Sequence, residues 1–156
     1  AQESRGLGDV YKRQVLAYPT LHAVQGAPDA AHRAALDADP EADTFGPEAV
    51  RGMYENYLGG PVSAAEVYAV PGTASPAQLS HFPATIMING EVDELRVSGE
   101  AFGALLRDAG IALDISTEPG TRHGHLNQPE LAAATASIDR FAARILATSS
   151  EHKEQS

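Results

Sequence analysis

PATIMINGEVDELRVSGEAFGALLRDAGIALDISTEPGTRHGHLN, residues Pro83–Asn127, is the stretch that decides the fold. Ala84–Ile88 is continuously apolar, as expected for a parallel strand covered on both faces. NGEVDEL reads as the loop at its C-terminal end. Phe102, Leu105 and Leu106 share one helical face, which predicts a helix from Ser98 to Ala109 closed by Gly110. Ile111–Thr117 reads as the next strand and EPGTRHGHLNQPE as a polar loop. Strand, helix and strand in short alternation predict a parallel α/β sheet with right-handed crossovers. Functional loops in such sheets sit at the carboxyl ends of the strands, and the two loops here carry Asp93 and His123.

Upstream, Val15–Tyr18 is a short apolar run ended by Pro19, consistent with a buried strand. Residues 21–47 are rich in Ala, Asp, Pro and Gly and read as a loop with one helical turn. Pro47 suits the first position of a helix through Val50, Met53, Tyr54, Tyr57 and Leu58, stopped by Gly59, Gly60 and Pro61. Residues 62–80 read as irregular. Downstream, a last helix is expected from Pro129 to Ala147 with Leu131, Ile138, Phe141 and Ile145 facing inward. Ser149–Ser156 is a charged tail expected to fray.

Composition narrows the function. The 156 residues carry a net charge of −10, without the clustered Lys and Arg that phosphate binding requires, so no nucleic-acid partner is expected. The absence of cysteine excludes disulfides and thiolate chemistry. No apolar run reaches the roughly 20 residues of a membrane span. No metal-binding H-E-x-x-H, paired-carboxylate cluster or phosphate-binding Gly-rich loop occurs, and no cofactor is expected. Oligomeric state is left open, and so is localisation, with the cytoplasm as the default.

Two adjacent parallel strands would bring the Asp93 and His123 loops within side-chain reach. A carboxylate beside an imidazole fixes its tautomer and stabilises the imidazolium formed when it takes a proton. On spacing alone, a solvated loop acid and a surface histidine explain the same residues. Glu91 and Glu94 read as structural or solvated, and Arg96 as a brace of the loop. His22, His32, His81 and His152 read as surface histidines without ligand spacing.

The order of motifs resembles the C-terminal part of the hormone-sensitive-lipase-like esterases, an α/β-hydrolase family. The family's G-E-x-D-x-L-R is similar to Gly90–Arg96, its A-G to Ala109-Gly110, and its G-x-x-H-G-F to Gly120–His125. VLAYPTL resembles its L-x-Y-P strand, and ENYLGG with the Ser75-Pro76 pair falls in the family's order. The resemblance runs from Val15 to Leu146 and is weak between Leu21 and Pro47. It implies an esterase or lipase-like hydrolase of small-molecule esters, with Asp93 as the triad acid and His123 as the base. His125 stands where phenylalanine is common, and the G-x-x-H pattern assigns the base to His123 instead. A prolyl-oligopeptidase-like or dienelactone-type hydrolase, or a non-catalytic binding module of the same fold, stays open as an alternative.

No G-x-S-x-G nucleophile elbow and no H-G-G-G oxyanion segment occurs. Ser4–Gln14, SRGLGDVYKRQ, resembles the translation of an adapter used in transposase-based DNA sequencing libraries. Residues 1–14 are therefore expected to be foreign and residues 15–148 to be the C-terminal portion of an α/β-hydrolase parallel sheet. That portion would hold about three strands with flanking helices and lack the nucleophile strand. It would present the Val15 strand as an unprotected edge.

Overall fold

The computed structural model describes residues 13–42 and 44–153, with main chain only for 148–153. Three parallel strands lie side by side in sequence order: β1 (Arg13–Ala17), β2 (Ala84–Val92) and β3 (Leu113–Arg122). Among the described residues four α-helices pack around them: α1 (Ala30–Ala38), α2 (Pro47–Leu58), α3 (Arg96–Asp108) and α4 (Ala132–Lys153). Of the adapter-like segment, residues 1–12 lie outside the described residues. Arg13 and Gln14 open β1, two positions before the expected start, and pair with Ala84 and Thr85.

The alternation of β2 builds both layers. Met87 packs with Phe102 and Leu106 of α3 and with Ala74 and Leu79 from the irregular stretch before β2. Ile86 and Ile88 face the other way, against Phe141 of α4, with Val15, Ala17 and Leu126 around them. A strand buried on both faces needs this unbroken apolar run, and Met87 and Ile88 are fully buried.

The strands outrun their apolar segments. β2 continues through Asn89, Gly90 and Glu91, and β3 through Glu118, Pro119 and Gly120, with Gly90 opposite Glu118 and Val92 opposite Arg122. Main-chain pairing needs no apolar side chain, so hydropathy ended both strands too early. Pro119 is tolerated because β3 lies at the edge of the sheet. His123 consequently follows a strand end directly, and the expected thirteen-residue loop does not form.

Two other expectations are corrected. Residues 30–38 form a full helix, because Asp29 caps it by accepting the His32 main-chain N–H at 2.8 Å. In α4 Phe141 is buried as expected, with Ala134 and Ser137, whereas Ile138 and Ile145 stand 51% and 49% exposed and Leu131, just before the helix, 37%. Phe141 packs on Ile86 and Ile88 of β2, and at the margin of that face Arg140 reaches Ser116 Oγ at 2.9 Å and Glu118 at 3.1 Å, and Arg144 pairs with Asp114 at 3.4 Å. α4 also runs past Ala147 to Lys153, into the segment expected to fray.

The register shift between Gly90 and Val92 brings the ends of β2 and β3 unusually close. A Cβ on residue 90 would lie 2.8 Å from the Thr121 carbonyl oxygen and 3.2 Å from that of Arg122. Both are main chain and cannot swing aside. Gly90→Ala is expected to destabilise the protein by about 1–3 kcal/mol, as overpacking does; urea denaturation of the two proteins checks this, and equal midpoints would contradict it.

Candidate functional site

Each strand end delivers one side chain. Asp93 follows β2 and is fully buried; His123 follows β3, with its side chain 31% exposed. The His123 Nδ1–H donates to Asp93 Oδ2 at 2.9 Å. The other carboxylate oxygen, Oδ1, accepts the Leu95 main-chain N–H at 2.9 Å. Two donors on a buried carboxylate offset the cost of its desolvation and hold its plane. His123 Nε2 makes no hydrogen bond among the described residues. Gly124 adopts the left-handed conformation at φ 77°, which a side chain would disfavour, and turns the chain into a 3-10 turn over His125–Asn127.

The loops are braced from several sides. Glu91 accepts the Gly120 N–H at 2.7 Å, joining the two strand ends, and Glu94 accepts the Phe45 main-chain N–H. Both acids are therefore structural, one of the two readings their sequence allowed. Arg96 pairs with Glu100 of its own helix at 2.6 Å and donates to the Glu91 carbonyl at 3.3 Å.

Two aromatic rings frame the imidazole. Tyr18 meets His123 edge-on at a centroid distance of 4.7 Å, and Phe45 does so at 5.0 Å. Tyr18 is the one non-glycine residue at positive φ (37°) among the described residues. A bulky residue there stores roughly 1–3 kcal/mol of strain, and its N–H bond to the Ile88 carbonyl at 2.6 Å holds it in place. Burial, and secondarily the nearby Asp93, push the Tyr18 hydroxyl above its ordinary range. Neither ring was singled out by sequence reasoning. The Tyr-Pro pair marked a strand end, but nothing in the order of residues points Phe45 at residue 123.

Two histidines read as surface residues are not. His32 is buried, and its Nε2–H donates to the Asp93 carbonyl at 3.0 Å. His22 is half-buried, with Nδ1 2.9 Å from Ser98 Oγ, which also accepts the Leu21 and His22 main-chain N–H groups. His81 is exposed as expected, and the side chain of His152 lies outside the described residues. His125 is fully buried behind the site, and its Nε2 lies 3.0 Å from Ser137 Oγ. Ser137 in turn donates to Glu118 at 3.4 Å, and Arg140 pairs with Glu118. His125 Nδ1 has no partner, so the ring sits in a pocket built for its neutral form. Asp93 bonds to His123 and not to His125. No group of three or more metal-ligating side chains, and no helix long and apolar enough to cross a membrane, occurs among the described residues.

The family model described as the alpha/beta hydrolase fold matches residues 1–127. Among solved structures, the chain is similar to carboxyl esterase 2 from the mycorrhizal fungus Tuber melanosporum. Their identity is 29% and the TM-score 0.69, over 86% of this chain and 43% of that one. It is also similar to a Pyrobaculum calidifontis esterase, at 28% identity and a TM-score of 0.71 over 88% and 43% of the two chains. A fungal esterase structure from Rhizomucor miehei, at 23% identity and a TM-score of 0.76, shares the fold over 96% of this chain and 46% of that one. The chain thus spans less than half the length of each of these. No curated protein matches it.

Burial lowers the affinity of His22, His32 and His125 for a proton below that of a free histidine, whose pKa is 6.5. For His22 and His125 nearby hydrogen bonds or carboxylates oppose this only in part; for His32 the Arg96 charge adds to it. The unfolded chain therefore binds protons below pH 6.5 that the folded chain refuses, and stability falls as pH drops through that value. It levels off once the folded histidines also charge. Each contributes a slope of at most about 1.4 kcal/mol per pH unit. His125→Phe is expected to flatten the fall in unfolding free energy between pH 7 and 5.5; an unchanged slope would show that His125 takes up its proton while folded.

Proposed function

The chain belongs to the α/β-hydrolase fold family, and from that premise we propose that it carries the acid and base of a carboxylic-ester hydrolase, Asp93 and His123, acting with a serine outside these 156 residues. The observation that carries this reading is the 2.9 Å bond from His123 Nδ1–H to the buried Asp93 carboxylate. With Nδ1 committed to that bond, Nε2 is the proton acceptor. It would take the serine proton as the hydroxyl attacks the ester carbonyl, then return it to the leaving alcohol. Asp93 would stabilise the imidazolium in between without itself taking the proton. Water would then cleave the acyl-enzyme by the same route. The similar structures at 28–29% identity are named as esterases, which favours the esterase reading over the peptidase and dienelactone-type alternatives.

The sequence contains neither G-x-S-x-G nor H-G-G-G, so on this reading the nucleophile and oxyanion donors would lie outside these residues. Loss of the serine alone costs on the order of a millionfold in kcat, and loss of oxyanion donors removes most of what remains. The purified chain is therefore expected not to turn over p-nitrophenyl acetate. Turnover abolished by His123→Ala would contradict this. A chimera in which residues 13–153 replace the matching part of the Pyrobaculum esterase supplies the missing groups. Hydrolysis by it should fall about 10⁴-fold in kcat with Asp93→Asn and by a larger factor with His123→Ala. Full activity in either variant would sink the assignment.

A further inference from the structure

We propose that the α1 segment, Asp29–Ala42 with Phe45 beyond it, is a positioning arm that fixes the acid and base loops relative to each other, with His32 as its principal positioning residue. The inference rests on the assignment of Asp93 and His123 as acid and base. Five contacts define the arm. On the acid side, His32 Nε2–H donates to the Asp93 carbonyl at 3.0 Å, and the Phe45 N–H donates to Glu94, the next residue. On the base side, the Arg122 guanidinium, one residue before His123, binds both oxygens of Asp39 at 2.7 Å and Glu41 at 2.7 Å. The Phe45 ring stands against the His123 imidazole itself.

The arm is seated firmly enough to act this way. His32 and Leu36 are buried on the inner side of α1, and Asp29 caps the helix at the His32 N–H. His32 donates through Nε2, so its Nδ1 bears the lone pair, and that buried atom has no partner. An isolated apolar contact would not need a histidine there. The Asp93 carbonyl also accepts the Arg96 N–H at 3.0 Å, so removing the imidazole leaves it bonded. What is lost is the tie between α1 and the main chain of the acid. The bidentate fork of Arg122 restrains the other loop in direction as well as distance.

The test reads the Asp93–His123 bond directly. In the 15N-labelled chain, the imidazole Nδ1–H of His123 should give a proton resonance that disappears in Asp93→Asn. If the unsubstituted chain gives none, the acid–base assignment itself fails, whatever the arm does. Given that resonance, His32→Leu is expected to speed its exchange with solvent at least tenfold, while His32→Gln, whose amide can still donate, should restore it to within about threefold. Unchanged exchange in His32→Leu overturns the proposal even if the melting temperature falls, because a merely structural histidine would affect only the latter. If His32→Leu does not fold, Arg122→Gln decides from the exposed end of the arm. There too a tenfold faster exchange supports the arm, and an unchanged rate overturns it.

Discussion

Where β2 and β3 end, the main chain of one strand comes so close to the other that only glycine fits. A side chain at residue 90 would press on two carbonyls of β3, at 2.8 and 3.2 Å. The register break there leaves Val92 opposite Arg122, and the next residue in each chain is Asp93 or His123. The acid and imidazole therefore meet because of strand register, with no long loop to fold. Glu91 reinforces the junction by accepting the Gly120 N–H across it.

The rest of the site keeps that meeting point rigid in a polar setting. A fully buried carboxylate is costly unless its oxygens are bonded, and here one oxygen serves the imidazole and the other a main-chain N–H. Behind the imidazole, His125, Ser137, Glu118 and Arg140 form a chain of polar contacts from the turn to α4 and back to β3. Tyr18 accepts an unfavourable φ to stand beside both histidines, at 4.7 and 5.5 Å. Strain and buried polar groups concentrate where chemistry is proposed, while the layers of Met87, Phe102 and Leu106 and of Ile86, Ile88 and Phe141 are ordinary apolar packing.

Local pattern made much of this legible. The apolar run of residues 84–88, the helical face of Phe102 and Leu106, and the Pro47 and Gly59 boundaries of α2 each act over a few residues, and each element forms where its pattern lies. The pairing of Asp93 with His123 was legible only through the resemblance of their motifs to a known family, since strand order alone left a solvated acid and a surface histidine equally open. The errors at the strand ends and in α4 share one cause. Residues 89–92 and 118–122 are strand because a neighbouring strand bonds to them, and α4 turns Ala134, Ser137 and Phe141 inward because the sheet meets that face, with Phe141 on Ile86 and Ile88.

The sequence by itself determined an α/β chain with a parallel sheet, and the order of its motifs, matched to a known family, pointed to the acid and the histidine that meet. Apolar period and motif order are properties of nearby residues. Only the tertiary structure decided what surrounds them: the burial of His32 and His125, the rings of Tyr18 and Phe45 on the imidazole, and the grip of the α1 segment on both loops. These contacts join residues tens of positions apart, and a lone histidine or phenylalanine in a polar stretch looks the same in sequence whether it faces solvent or a strand end.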